Sequence, residues 1–330
     1  MRSDSLVVAF LTAAVLWSSA CGSGADVSAP PDSRPPTATV NAVDHEVTTA
    51  PSPTATSAAT TAAATVTPED LADPTSPSEF AAEISKAERA IRDTSLDPSV
   101  VNQWGRRQQR LYRLLAMNES WAPEALPLVD HEIRFAVEHN WLARQELSSL
   151  VTSGRLSTVL PAWRVREPLP VPELLGYYEE SEANSGIEWE YLAAINLIET
   201  RMGRIQGLST AGATGPMQFL PSTWAECCEG DPTVDRDAII GAGVYLRARG
   251  GPQDMERALF GYNNSDYYVA AVSAYVAVLR ADPNALAGYH AWEVYFRAEP
   301  GLVRIPAGYE EPEPVDAVDW IAANPQHLLG

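Results

Sequence analysis

Apolar residues after position 78 recur mostly at spacings of three and four, which is the period of amphipathic helices. No convincing alternation with a period of two separates them. The pattern predicts helices over the segments 79–93, 99–118, 126–151, 172–186, 192–203, 237–251, 254–263 and 265–280. The sequence therefore predicts a mainly α fold.

Residues 155–172 ("RLSTVLPAWRVREPLPVP") interrupt this series, and their four prolines predict an extended connector. The connector closes an N-terminal helical lobe over 79–172. Near the other end of the chain, segment 289–297 ("YHAWEVYFR") is interpreted either as one wall of a groove or as a docking helix.

The segment "LAAINLIETRMG", residues 192–203, places a carboxylate among apolar side chains. At 3.6 residues per turn, Glu199 falls on the same stripe as Leu192, Ile195 and Met202. A glutamate is rarely buried unless it is paired. The stripe therefore either lines a cleft or holds a buried ion pair, for which the candidate partners are Arg201, Arg204 and Arg247.

Local signals predict where this helix begins and ends. Ser185 and Glu188 form a capping-box pattern, and Gly203 is a natural C-terminal stop. A loop over 204–222 follows, with three glycines and two prolines, and loops of this length in compact domains are more often functional than idle. A second capping box at Thr223 predicts the start of the next helix.

The formal net charge is −20, which argues against a nucleic-acid partner and against a basic patch for lipid head groups. Cys227 and Cys228 are adjacent, so their Cα atoms lie closer together than a relaxed disulfide prefers, and no histidine lies nearby. They are predicted to be two small, semi-buried helical residues. The chain has no P-loop, dinucleotide-binding or zinc motif, and nothing implies a metal or organic cofactor.

The N-terminal region has the pattern of a secretory leader and a tether. Residues 1–20 combine Arg2 with an apolar run and small residues, which predicts a signal peptide. Cys21 follows "SSA", and the four residues together resemble a bacterial lipoprotein processing site. The resemblance implies that Cys21 is lipidated and anchors the protein to the outer face of the cytoplasmic membrane. Ordinary secretion with a free cysteine is the alternative. Residues 21–78 are rich in Ala, Pro, Ser and Thr and are predicted to be a disordered tether.

A carboxyl group held in an apolar cleft suits one kind of chemistry. Desolvation raises the pKa of such a group toward neutrality, where it can deliver a proton. Cleavage of a glycosidic bond needs that proton, because the sugar oxygen leaves poorly until it is protonated. Glu199 is therefore a candidate general acid.

Four motifs follow one another along the chain in an order that matches a known enzyme family. They are "IET" at 198–200, "STAGATGPMQFLPSTW" at 209–224, "DAIIGAGVYL" at 237–246 and "ALFGYNNSDYYVAAVSAY" at 258–275. Together they resemble the bacterial lytic transglycosylases of the soluble-lytic and membrane-bound B types, here in a lipoprotein of actinobacterial type. The resemblance implies a lysozyme-like domain over 173–283, with 284–330 as a C-terminal extension packed on it. It also implies cleavage of peptidoglycan between N-acetylmuramic acid and N-acetylglucosamine, which leaves 1,6-anhydromuramoyl ends.

Carried over by position, the resemblance gives Glu199 the catalytic acid and base role. Ser209 is implied to contact substrate, Gln218 to line the sugar groove, and Tyr262 with Asn263 to close the opposite wall. The implied partners are peptidoglycan strands and, through the lipid, the membrane. Proteins of cell-wall synthesis or division are further candidate partners.

Hydrolases usually need two carboxylates, but no second one stands out, since Asp231, Asp235, Asp237 and Asp254 suit helix starts or loop surfaces. In the family's reaction one glutamate suffices, because it protonates the leaving oxygen and then deprotonates the muramoyl C6 hydroxyl that attacks C1. Two alternatives stay open: a hydrolase of the goose-lysozyme kind, and a non-catalytic lipoprotein that only binds the cell wall.

Overall fold

The computed structural model describes residues 67–150 and 156–329. The predicted signal peptide, Cys21 and residues 21–66 of the predicted tether lie outside the described residues. The described helices are α1 (Pro77–Arg92), α2 (Pro98–Met117), α3 (Ala122–Ala125), α4 (His131–Ser149), α5 (Val171–Ser185), α6 (Trp189–Thr200), α7 (Pro221–Cys227), α8 (Asp235–Ala248), α9 (Met255–Tyr262), α10 (Asp266–Ala281), α11 (Ala285–His290) and α12 (Ala317–Ala323). The predicted mainly α fold is confirmed.

Short strands supplement the helices, although the sequence shows no convincing alternation with a period of two. They are β1 (Val159–Leu160), β2 (Arg164–Val165), β3 (Ile205–Gln206), β4 (Val294–Ala298), β5 (Gly301–Ile305), β6 (Val315–Asp316) and β7 (Leu328–Leu329). β1 pairs with β6, β2 pairs with β3, and β4, β5 and β7 form a three-stranded antiparallel sheet. Segments of two to five residues are too short to show a sustained period of two in the sequence.

Helix α6 belongs to the main core, to which every helix from α1 to α11 contributes buried residues. Helix α10 packs on both α4 and α6, and α5 packs on α6 and α8. Every residue from Tyr191 to Thr200 is buried, including Asn196, whose amide donates to the Pro216 carbonyl at 2.9 Å. The interpretation of α6 as an amphipathic helix with one apolar stripe was therefore wrong: the helix is buried on all sides, and polar residues on it are satisfied individually.

Both predicted capping boxes are wrong, and so is the predicted end of α6. Ser185 is the last residue of α5, and the Glu188 side chain makes no capping hydrogen bond. Helix α6 ends where Arg201 and Met202 adopt left-handed dihedrals (φ 56° and 61°), before Gly203 is reached. Helix α7 begins at Pro221 and not at Trp224, because proline at the first position already has the helical φ angle.

The connector and the C-terminal extension form a second, smaller core around Leu160, Trp163 and Val303. This core supports the base of the 204–222 loop through the β2–β3 pair. The indole nitrogen of Trp163 donates to the Leu208 carbonyl at 3.3 Å, and a Cβ on Gly207 would lie 2.4 Å from the indole ring. Glycine is therefore required where the loop crosses the tryptophan.

Segment 289–297 is divided between two elements. Its first part belongs to α11, and its last part is β4, so a single docking helix is not present there. Within the described residues, no helix is both long and apolar enough to cross a membrane.

Candidate active site

Glu199 lies in the last turn of α6 and is buried, with 8% of its surface exposed. The hydroxyl of Tyr268, from the first turn of α10, donates to its Oε1 atom at 2.7 Å. Burial raises the pKa of Glu199 to about 7, against the opposing effects of the Tyr268 hydrogen bond and the Arg201 charge. Near neutral pH the carboxyl can therefore both deliver a proton and take one back.

The alternative of a buried ion pair at Glu199 is wrong. Arg204 pairs with Glu167 at 2.7 Å, and Arg201 and Arg247 each donate to a backbone carbonyl, at 2.6 and 3.2 Å. In the described part of the chain, no arginine forms an ion pair with Glu199. Its carboxyl is held by a neutral phenol, which suits a group that must change its protonation state.

An aromatic wall stands beside the carboxyl. The rings of Tyr262 and Tyr268 are stacked with 6.4 Å between centroids, and the Tyr262 hydroxyl donates to the Met217 carbonyl at 2.7 Å. Phe219 packs edge-on against Tyr262. Burial, with the nearby Glu199 charge, raises the pKa of both tyrosines well above their usual value, so both phenols remain hydrogen-bond donors at neutral pH.

Ser209 organises the loop in which it lies. Its Oγ atom accepts hydrogen bonds from the backbone of Ala211 (3.2 Å) and Ala213 (3.0 Å), and its carbonyl accepts from Gly212. No hydrogen bond joins Ser209 to Glu199 among the described residues. Its structural contribution is to close a tight turn.

Gln218 is held by the turn that precedes it. Its backbone adopts a left-handed conformation (φ 51°), and its Nε2 atom donates to the Gly215 carbonyl at 2.9 Å. The adjacent Met217 carbonyl accepts the Tyr262 hydroxyl, so this turn is fixed to the aromatic wall.

Asn263 follows the end of α9 and is buried. Its backbone N–H donates to Leu259 and its carbonyl accepts from Ser265, but its side-chain Oδ1 has no partner in the described structure. An unsatisfied buried acceptor costs about 1–3 kcal/mol. An amide oxygen in that state is suited to accept a hydrogen bond from a bound ligand.

Among the predicted site residues, the structure brings Tyr262 and the Gln218 turn to one wall with the Glu199 carboxyl, whereas Ser209 is satisfied within its own loop. Tyr268 is the residue that sequence reasoning missed. It lies in the quoted "YNNSDYYVAA" motif, but nothing in that motif distinguishes it from its exposed neighbour Tyr267. The direction of its hydroxyl depends on how α10 packs on α6.

The four aspartates considered as a second carboxylate have other contacts. Asp235 pairs with Arg166, and Asp254 caps α9. Asp231 accepts from Thr233, and Asp237 accepts from the backbone of Asp231 at 3.0 Å. Within 67–150 and 156–329, no group of three or more His, Cys, Asp or Glu side chains is placed to hold a metal ion.

Cys227 and Cys228 form a disulfide bond, which their close Cα spacing did not favour; both residues are half-buried, as predicted, but only Cys227 lies in a helix. Cys227 is the last residue of α7, and Cys228 leaves the helix with extended dihedrals (φ −136°, ψ 159°). That departure from helical geometry allows neighbouring sulfur atoms to meet. Trp224, one turn earlier in α7, is buried.

Comparison with known proteins gives one partial match. Membrane-bound lytic murein transglycosylase F of Thiobacillus denitrificans is 32% identical over 81 residues, which cover 24% of this chain and 17% of that protein. The chain therefore spans less than a fifth of the relative's length. No family model and no solved structure matches. The match supports a resemblance to lytic transglycosylases in general.

Proposed function

We propose that this protein is a lytic transglycosylase of peptidoglycan. The observation that carries the proposal is the buried Glu199 carboxyl, whose pKa is raised to about 7 and which accepts a hydrogen bond from Tyr268. The partial match to a murein transglycosylase supports the same class of enzyme.

Glu199 acts twice in the proposed reaction. As the acid, it protonates the glycosidic oxygen between N-acetylmuramic acid and N-acetylglucosamine, and the bond to C1 breaks. As the carboxylate, it then takes the proton from the muramoyl C6 hydroxyl, whose oxygen bonds to C1 and forms the 1,6-anhydro ring. Tyr268 holds the carboxyl in place and stabilises its charged form between the two steps.

The contacts of the four aspartates support a transglycosylase over a hydrolase. A hydrolase needs a second carboxylate to activate water or attack the sugar. Asp231, Asp235, Asp237 and Asp254 are each held by another partner. Mass spectrometry separates the two activities, because anhydro products lack the water that hydrolysis adds.

We further propose that Ser209, Gln218, Tyr262 and Asn263 shape the sugar groove, and that lipidation of Cys21 anchors the enzyme to the outer face of the cytoplasmic membrane. A tether of about 50 residues would give it a reach of several nanometres. Metabolic labelling with a fatty-acid analogue tests the anchor, since Cys21→Ser should abolish labelling.

The direct test of the function is Glu199→Gln on purified murein. We expect release of anhydromuropeptides to fall about 100-fold or more, because the general acid is lost. Glu190→Gln is the matched control, since Glu190 lies in the first turn of the same helix. Near wild-type product release by Glu199→Gln would refute the assignment.

A further inference from the structure

The hydroxyl of Thr200 joins the end of α6 to two neighbouring turns. Thr200 directly follows Glu199 and is fully buried. Its Oγ1 atom donates to the Pro216 carbonyl at 2.6 Å and accepts from the backbone N–H of Gly203 at 3.1 Å. The side-chain amide of Asn196 donates to the same oxygen at 3.3 Å. A hydroxyl offers one donor and two acceptor positions, so the protein itself occupies all three.

The bond from Gly203 holds an unusual helix end. Arg201, Met202 and Gly203 have φ angles of 56°, 61° and 76°, so three consecutive residues are left-handed. This conformation is disfavoured for residues that carry a Cβ, and it persists only where the surrounding contacts fix it. The bond from the Gly203 N–H to Thr200 is one of these contacts. The hydroxyl therefore helps to fix the backbone that directly follows Glu199.

The bond to Pro216 reaches the wall of the candidate active site. Pro216 lies in the turn 215–218 and is buried. The next carbonyl in that turn, of Met217, accepts the Tyr262 hydroxyl at 2.7 Å. One turn of backbone therefore carries the Thr200 bond on one residue and the Tyr262 bond on the next.

These contacts form a closed path around the Glu199 carboxyl. Tyr262 stacks on Tyr268, and the Tyr268 hydroxyl donates to Glu199 at 2.7 Å. Glu199 is bonded through the backbone to Thr200, and the Thr200 hydroxyl leads to the turn 215–218. The position of the carboxyl relative to the aromatic wall is thus set from two sides, by Tyr268 and by Thr200.

We propose that Thr200 is a positioning residue for Glu199 and acts through its hydroxyl without touching substrate. This inference rests on the proposed function, in which the carboxyl meets the leaving oxygen first and the C6 hydroxyl second. Both steps require the carboxyl at a fixed distance from the groove. A misplacement of about 1 Å can cost about 100-fold in rate, so a contact that fixes the end of α6 contributes to turnover.

Substitutions of Thr200 separate its hydroxyl from its volume. Thr200→Val keeps the shape and loses the hydroxyl, whereas Thr200→Ser keeps the hydroxyl. On soluble glycan strands, on the acidic plateau of the pH profile, we expect Thr200→Val to lower kcat about tenfold and leave KM within about twofold. Thr200→Ser should retain most of the wild-type kcat. If Thr200→Val does not fold, Thr200→Ala is compared with Thr200→Ser, because these two differ only in the hydroxyl.

Ser185→Ala is the matched control for the loss of a buried hydroxyl. Ser185 is buried at the end of α5, its Oγ atom donates to the Ser181 carbonyl at 2.7 Å, and the N–H of Ile187 donates to it at 3.1 Å. Its removal should lower stability in urea, as Thr200→Val does, but leave kcat unchanged. Wild-type kcat in the hydroxyl-free Thr200 variants, or an equal loss of kcat in Ser185→Ala, would overturn the proposal.

A double-mutant cycle tests the closed path of contacts. Tyr262→Phe removes the bond to the Met217 carbonyl and should lower kcat by itself. Because the two contacts act on one turn, we expect Thr200→Val with Tyr262→Phe to lose little more activity than the weaker single variant. The effects of Thr200→Val and Ser185→Ala should instead multiply. No loss in Tyr262→Phe, or losses that multiply with Thr200→Val, would overturn the coupling on which the proposal depends.

The pKa of Glu199, measured by NMR of its carboxyl carbon in the full chain without substrate, separates this inference from the proposed function. Valine keeps the site buried, so the remaining effect in Thr200→Val is a looser hydrogen bond from Tyr268, which raises the pKa of Glu199. Ser185→Ala should leave that pKa in place.

If Glu199→Gln cleaves murein at the wild-type rate, the proposed function fails, and a raised pKa in Thr200→Val still supports the positioning of the carboxyl. If cleavage depends on Glu199 but folded Thr200→Val has an unchanged or lower pKa at that carboxyl, the positioning role is overturned and the proposed function stands.

Discussion

Removing the Tyr268 hydroxyl tests whether this phenol sets the protonation of Glu199. In Tyr268→Phe the ring that stacks on Tyr262 is kept, but the hydrogen bond to Glu199 Oε1 at 2.7 Å is lost. That bond favours the charged carboxylate, so its loss raises the pKa of Glu199 above the value of about 7.

The size of the shift follows from the strength of the bond. A hydrogen bond to a charged group contributes about 1.5–3 kcal/mol, and one pKa unit corresponds to about 1.4 kcal/mol. We therefore expect the pKa of Glu199 in Tyr268→Phe to rise by about one to two units. A group that must be protonated in the free enzyme gives kcat/KM that falls as pH rises through its pKa.

The assay is the pH dependence of kcat/KM on soluble glycan strands. Wild type should lose activity above about pH 7, and Tyr268→Phe should lose it at a pH about one to two units higher. Tyr267→Phe is the control, because that side chain is half exposed on the same turn of α10. An alkaline limb that stays in place or moves to lower pH in Tyr268→Phe, or that moves equally in Tyr267→Phe, would refute the reasoning.

Three further predictions concern stability. Because folding raises the pKa of Glu199 to about 7, the wild type loses stability as pH rises from the carboxyl's ordinary pKa range to 7. Glu199→Gln should therefore be about 3 kcal/mol more stable than the wild type at pH 8 and about equally stable at pH 4. Urea unfolding that shows no pH-dependent difference between the two proteins contradicts this. Asp235→Asn leaves the Arg166 guanidinium without its ion-pair partner and should lower the free energy of unfolding by about 2 kcal/mol in urea, a result to be checked against the exposed Asp319→Asn. Gly215→Ala places a Cβ 1.7 Å from the Pro232 carbonyl oxygen, whereas the Cβ of Gly212→Ala, at a similar positive φ, meets no heavy atom within 4 Å. Gly215→Ala should therefore lower Tm more than Gly212→Ala does. Equal Tm values for the two variants would show that the backbone at Gly215 relaxes freely.

Helix positions could largely be predicted from the sequence, because burial repeats along a helix with a fixed period. The predicted segments 237–251, 254–263 and 265–280 match α8, α9 and α10 to within three residues at each end. Helix ends were predicted less well: at Arg201 the chain leaves α6 in a left-handed conformation without a glycine. The strands were missed because each is only two to five residues long, and because the pairs β1–β6 and β2–β3 join segments that are distant in sequence.

The bond between the adjacent cysteines also could not be predicted from the sequence. General geometry disfavours a bond between Cys227 and Cys228, and only the local departure of Cys228 from helical dihedrals brings the sulfur atoms together. Residue type and spacing therefore did not predict this bond.

The helical class and the choice of Glu199 as candidate acid could be predicted from the sequence, because periodicity and motif order are properties of the chain. The surroundings of that carboxyl depend on how the helices pack. Helix α10 brings the Tyr268 hydroxyl to it, and α9 brings Tyr262 beside Tyr268. A pKa depends on desolvation and on groups brought together from distant parts of the sequence, so it is fixed only when the helices pack.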